Sequence, residues 1–212
     1  RGVRLIAIND NVDTEKGDND MTPFLNIMYE FYARDTSRKI KSVFKAKGMT
    51  GKHLTGTVIY GYLWDEKREN WLVDEEAAAV VQRIFAMTLE GYGPYQIATR
   101  LAADKIEIPA VHLARHGEGV NKNKVFNDIY RWSTSTVVEI LKKREYLGHT
   151  INFKTRKHFK DKKSHYVDEN EWTIFENTHD AIIDQETFDN VQRIRGNSRR
   201  YPDGYGEAAP LT

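Results

Sequence analysis

The 212-residue chain has 40% hydrophobic side chains, enough for one large or two modest domains with cores of their own. It has no cysteine, which excludes a disulfide framework and a thiolate zinc site, and no apolar run of bilayer length, so a cytoplasmic setting without a membrane partner is expected. The net charge of +1 conceals segregation: residues 38–52 hold six Lys/Arg and no acid, residues 142–165 hold nine against Glu145 and Asp161, and 167–190 has acids only, the clustering a polyanion requires whatever the total.

Residues 3–8, Val-Arg-Leu-Ile-Ala-Ile, read as a buried strand, followed by a polar loop through Asp20. The acids Asp10, Asp13, Glu15, Asp18 and Asp20 lack the glycine and terminal glutamate of a calcium loop, so no metal is expected there. Thr22-Pro23 starts a helix, Thr22 as the cap and Pro23 in the first turn, where its missing N–H costs nothing. Phe24, Ile27, Met28 and Phe31 recur at helical spacing and Ile40, Val43 and Phe44 resume it, giving one helix of ~40 Å that ends near Gly48. Its apolar stripe suits core packing or dimerisation. Its second half carries Arg38, Lys39, Lys41, Lys45 and Lys47, cations suited to a DNA backbone.

Residues 49–56 supply glycines and Lys52 without periodicity and mark a basic linker and a domain boundary. Residues 58–64 and 70–73 read as two short strands of a hairpin with aromatic packing. Asp74 caps a helix whose inward face is Ala77, Val80, Val81, Ile84 and Phe85 and whose stop is Gly91. Pro94 starts another, burying Ile97, Ala98 and Leu101. Residues 106–130 read as a polar loop. His112 and His116 would share a helical face, but Gly117 and Gly119 favour a loop and no third ligand is evident, so no metal is expected.

Residues 131–148, Arg-Trp-Ser-Thr-Ser-Thr-Val-Val-Glu-Ile-Leu-Lys-Lys-Arg-Glu-Tyr-Leu-Gly, form the stretch best suited to reading DNA. Hydroxyl residues open it, Val137, Val138, Ile140 and Leu141 give a face to bury, and Lys142, Lys143 and Arg144 close it. Helices 94–103 and 134–143 have the content of a helix-turn-helix unit, though their connection exceeds the usual three or four residues. In such a unit Ser133, Thr134, Ser135 and Thr136 face base edges, with Arg131 beside them, unless they serve only as caps. Residues 146–153 and 165–175 pair as a wing around a basic tip containing Lys154, Arg156 and Lys157, suited to phosphate contact. Asp184 caps a last helix that turns Phe188, Val191 and Ile194 inward, and residues 196–210 read as linker.

The fold class is therefore α+β and mainly helical, with small β-hairpins. No active site is evident: Ser37, Ser42, Ser133, Ser135, Ser164 and Ser198 have no neighbouring base or cationic pocket, and no phosphate loop or two-metal carboxylate pattern occurs. Chemistry alone leads to a double-stranded DNA-binding module.

Several motifs follow one another in a specific order: Val3 to Asp13, Tyr32-Ala-Arg-Asp-Thr-Ser-Arg-Lys-Ile40, Tyr60-Gly-Tyr62, Asp74-Glu-Glu-Ala77, Ile84-Phe85, the stretch Gly91 to Leu101, Trp132-Ser133, Val138 to Leu141, Tyr146-Leu-Gly148 and His179-Asp-Ala-Ile-Ile-Asp184. Together they resemble the large serine recombinases of the resolvase/invertase superfamily, especially transposases of conjugative elements, over nearly the whole chain. The resemblance implies that 1–20 ends a catalytic domain, 21–48 is the long interdomain helix, 49–56 a basic linker, 57–200 the recombinase DNA-binding domain and 201–212 a linker. It implies a nucleophilic serine upstream and a zinc ribbon downstream, so that no cofactor is expected within these residues. It also implies a parent that oligomerises on element-end DNA and exchanges strands through a serine–phosphate bond, which stores the bond energy without ATP. The family's late arginines on the long helix point to Arg34 as a possible active-site helper, although the accompanying glutamates are missing here. The alternatives are a non-enzymatic helix-turn-helix regulator and a helical assembly module. Within the DNA-binding readings, removing charge at Lys142, Lys143 and Arg144 weakens binding to all sequences, and changing Ser135 or Thr136 alters preference.

Overall fold

A computed structural model of the chain describes residues 22–158 and 161–197 together with Arg4, Ile6, Ala7, Val12 and Asp13. The acidic loop at 14–20 and the expected linker beyond 197 lie outside the described residues. In chain order the elements are β1 (Ile6–Ala7), β2 (Val12–Asp13), α1 (Thr22–Gly48), β3 (Tyr62–Trp64), β4 (Trp71–Val73), α2 (Glu75–Leu89), α3 (Pro94–Ala103) and α4 (Pro109–Arg115). There follow α5 (Thr134–Lys142), β5 (Thr150–Asn152), β6 (Thr155–Arg156), β7 (His165–Tyr166), β8 (Thr173–Phe175) and α6 (Gln185–Asn197). Contacts divide the chain into two units, Arg1–Thr50 with Thr155–Val167, and Gly51–Lys154 with Asp168–Thr212. The wing tip thus groups with the long helix.

In the first unit α1 is a single helix, as the spacing of its apolar residues and Pro23 predict. Exposed i,i+4 pairs, Glu30–Arg34 at 2.9 Å and Asp35–Lys39 at 2.7 Å, add a few tenths of a kcal/mol each. Its apolar stripe is not core: Phe24, Ile27, Met28 and Phe31 are all more than half exposed. The strand expected at 3–8 is also corrected. Ile6 is 55% exposed, and β1 pairs antiparallel with β2, inside the segment read as loop, with Ile6 opposite Asp13. An apolar run says that a strand can be buried, and burial further requires a layer to cover it. The second basic segment of this unit is the ribbon β6–β7, in which Thr155 faces Tyr166 and Arg156 faces His165.

The second unit holds the hydrophobic core. Asp74 caps α2, Glu75 and Glu76 complement the dipole in its first turn, and Ala77, Val81, Ile84 and Phe85 are sealed inward. Each large side chain so buried contributes about 1.5–3 kcal/mol. The helix ends as its sequence requires: Gly91 has φ +94°, its N–H reaches Thr88 O, and the Tyr92 N–H reaches Met87 O, a Schellman stop. Around α2 pack α3, α5 and α6. The β3–β4 hairpin sets Trp64 opposite Trp71, and His53 stacks on Trp71 with ring centroids 3.9 Å apart. Buried phenol tips find backbone acceptors, Tyr62 on Asp180 O and Tyr146 on Tyr60 O, both at 2.8 Å. Burial and nearby carboxylates push both phenols well above their ordinary range.

One expectation fails outright in this unit. The stretch 106–130 is not all loop, because Pro109 to Arg115 forms α4. Pro109 stands at the first helical position and Gly117, at φ +71°, takes the stop, so the start and stop residues are present in the sequence. What the segment lacks is a full apolar period: seven residues bury His112 rather than an aliphatic side chain. At the wing base, residues 146–149 are not strand. Arg144–Leu147 is a 3₁₀ turn, and pairing begins at Thr150, opposite Phe175.

His179 ties these parts together by donating from Nε2 to Glu145 O at 2.9 Å. Burial pulls its pKa below 6.5, against the opposing pull of the Glu145 carbonyl and carboxylate. A histidine depressed in the folded state contributes stability fully above 6.5 and loses it as the pH falls below that value, since the unfolded chain then binds the extra proton. The urea midpoint should therefore fall between pH 7.5 and pH 5.5, and His179→Gln should flatten that fall. An unchanged slope in the variant would assign the pH dependence elsewhere.

Candidate nucleic-acid interface

The polar face of α5 is built by its buried one. Val137, Ile140 and Leu141 are within 3% of complete burial, and Trp132 is buried with its Nε1 donating to Ile106 O at 2.8 Å. The helix is thereby held against α3, its most extensive partner. Ser133 is the cap, accepting the Thr136 N–H at 3.1 Å, and its Oγ lies 2.9 Å from Ser135 Oγ and 2.8 Å from Thr136 Oγ1. Of the four hydroxyls at the helix start, Thr134 and Ser135 are exposed without being the cap.

This half of α5 forms a ridge between two grooves. Arg131, Ser133 and Thr134 line one, of about 930 Å³, shared with α3. Ser135, Thr136 and Lys143 line the other, of about 460 Å³, shared with residues 57–60 and α4.

The expected cations do not contribute equally. Lys142 pairs with Glu139 at 3.3 Å and Lys52 with Glu69 at 3.3 Å, both on the surface. Lys154, expected at the wing tip, instead pairs with the buried Glu145 carboxylate and lies over the Trp172 ring. Its charge is spent internally because Glu145 has been drawn into the core and must be paired there. Arg144 is half-buried, and its Nε has no hydrogen-bond partner among the described residues. Arg131 and Lys143 carry no acidic partner among the described residues, so no neighbouring carboxylate there offsets their charge. In the other unit Arg38, Lys41, Lys45 and Lys47 lie exposed along α1, and Lys41 Nζ donates to Lys157 O at 2.9 Å, which brings the wing tip with Arg156 and Lys157 beside the helix. Arg34 bonds Glu30 within α1.

Asp74 supplies the third group missing from the histidine pair, and the ligand atoms of Asp74, His112 and His116 lie within 4.8 Å of one another. The hydrogen bonds use them differently. Arg115 Nη2, always a donor, lies 3.1 Å from His112 Nδ1, which must accept; Nε2 then carries the proton and donates to Asp74 Oδ2 at 2.6 Å. Both imidazole nitrogens are occupied, and the cluster is a clamp that pins α4 to the start of α2. Burial raises the Asp74 pKa, but the His112 hydrogen bond and the Ala77 N–H outweigh it and hold the carboxyl below its usual range. Asp74→Ala should cost about 2–4 kcal/mol by losing the cap and stranding His112, read as a lower urea midpoint; a loss of a few tenths would contradict the clamp.

A family model described as Recombinase matches residues 75–197, more than half of the chain. Among solved structures, a crystal structure of an LSR–DNA complex aligns over 81% of this chain and 42% of its own, with 16% sequence identity and a TM-score of 0.48. The chain thus spans less than half the length of that structure. No helix among the described residues is long and apolar enough to cross a membrane.

Proposed function

The chain belongs to the recombinase family, and from that premise we propose that it is the DNA-binding part of a site-specific serine recombinase, recognising element-end DNA for strand exchange. The observation that carries this reading is the α5 ridge. Its exposed hydroxyls stand between two grooves, each holding an arginine or lysine without an acidic partner among the described residues, Arg131 on one side and Lys143 on the other. A helix entering a major groove needs that arrangement: short polar side chains toward base edges and cations toward the phosphate walls on either side.

Within this reading α3 and α5 act as a helix-turn-helix pair, α4 and the loop after it being an insertion that leaves the pair in contact. The exposed apolar stripe of α1 serves assembly of the parent, and the cations of α1 and of the β6–β7 ribbon add phosphate contacts. Arg34 is retained as a helper of catalysis in the parent. Zinc, if the parent has it, belongs to residues other than these. The test is a titration of labelled duplex DNA at several salt concentrations. The logarithm of the affinity should fall linearly with the logarithm of salt, at about 0.9 per phosphate neutralised. Binding that is absent or indifferent to salt would sink both this reading and the regulator alternative and leave an assembly module.

A further inference from the structure

The groove between α3 and α5 contains residues that no sequence pattern singles out. Its floor is Ala98, Ala102 and Ala103, small side chains that let a bulky ligand approach the helix backbone closely. One wall carries Tyr95, 73% exposed, and the end of α3 carries Lys105; Arg131 faces them from the start of α5. Neither Lys105 nor Arg131 has an acidic partner among the described residues, whereas Arg83 is paired with Asp104 next to Lys105.

Lys105 is also conformationally out of place. It ends α3 as a left-handed residue at φ +54°, its N–H on Ala102 O and the Ile106 N–H on Leu101 O. The corresponding stops of α2 and α4 use Gly91 and Gly117. A lysine there costs about 1 kcal/mol relative to glycine. Strain kept at an exposed position points to a use for the side chain.

Resting on the DNA-binding reading above, we propose that this groove seats one sugar–phosphate strand of double-stranded DNA, with Lys105 and Arg131 on phosphates and the Tyr95 hydroxyl donating to a phosphate oxygen. The acid in the groove, Asp128, already accepts the Tyr130 N–H through Oδ1 at 3.0 Å, and its charge opposes the strand.

That opposition makes the proposal testable in both directions. Lys105→Gly in the full chain removes the cation and relieves the backbone. It should leave the Tm equal to or above that of the parent while weakening duplex binding about fivefold to tenfold and lowering the salt slope by about one. Tyr95→Phe should weaken binding a few-fold at unchanged salt slope. Asp128→Asn keeps the acceptor for Tyr130 and should tighten binding, a gain that a damaged fold cannot imitate. If the parent chain binds duplex DNA with the expected salt dependence but Lys105→Gly and Asp128→Asn bind as it does, the groove assignment is wrong and the DNA-binding reading stands. If the parent chain does not bind, both fall together.

Discussion

Replacing Gly148 by alanine should lower the unfolding free energy of the second unit by about 3–5 kcal/mol, the largest single loss anticipated for a one-carbon change. Gly148 follows the 3₁₀ turn after α5 at φ +83°, and a Cβ built there would lie 2.5 Å from the backbone oxygen of His179. The left-handed conformation alone costs an alanine about 1–2 kcal/mol. The clash is with backbone, which cannot swing aside, and that backbone is held: Gly148 O accepts the Thr178 N–H at 2.8 Å, and Ile182 and Ile183 N–H both reach Tyr146 O. Relief therefore requires moving residues 177–183 away from the turn, which withdraws Ile182 and Ile183 from the core. Gly61→Ala is a graded control. Its Cβ would meet Ile182 Cδ1 at 2.8 Å, the far end of a flexible side chain, so the cost should be smaller despite φ +104°. Urea denaturation followed by tryptophan fluorescence reads both, and equal losses at the two positions would show that conformation rather than contact sets the cost.

The second large effect is on binding. Arg131→Ala combined with Lys143→Ala should reduce duplex affinity for all sequences alike and lower the salt slope by about 1.8, close to 0.9 for each phosphate left without its cation. Lys142→Ala and Lys154→Ala should do much less. Lys142 has Glu139 beside it, and removing Lys154 strands the buried Glu145, so its loss is in stability, not affinity. The comparison separates cations that are exposed from cations that are available. For Lys154 a sequence cannot make that distinction, because Glu145 is nine residues away and nothing in their spacing announces the pair.

The same limit governs which other features can be read from the chain alone. Asp74 and Asp184 are legible as caps because the signal is local, a short polar side chain followed by a helical apolar period, and each is found accepting an N–H three residues on; for α5 the same signal leaves four hydroxyls, and the structure gives the cap to Ser133. The inward faces of α2, α3 and α5 are legible for the same reason, and so are Phe188 and Val191 of α6, whereas Ile194, expected to turn inward with them, is exposed near the end of that helix. The stripe of α1 shows the converse. Its periodicity correctly gives a helix, but Phe24 and Phe31 stand exposed among the described residues, since a period reports which residues share a face and not what covers it. Helix α4 escapes the pattern because His112 replaces the aliphatic residue that would have marked its buried face. The pairing of His112 with Asp74, 38 residues earlier, is a product of the fold. Tyr95 and Lys105 are equally silent in the sequence, where an exposed aromatic and a single lysine carry no pattern. What marks them is the groove they share with Arg131 and the left-handed backbone at Lys105.

Everything proposed for this chain turns on the first turn of α5 facing base edges while the cations beside it hold phosphates. Selection of bound duplexes from a random-sequence pool, carried out with the parent chain, Ser135→Ala and Lys143→Ala, tests that assignment and requires no defined target site. Ser135→Ala should change the preferred base at one or two positions of the selected motif, and Lys143→Ala should return the parent motif with weaker binding throughout. A motif unchanged by Ser135→Ala, or shifted equally by both substitutions, would contradict the assignment.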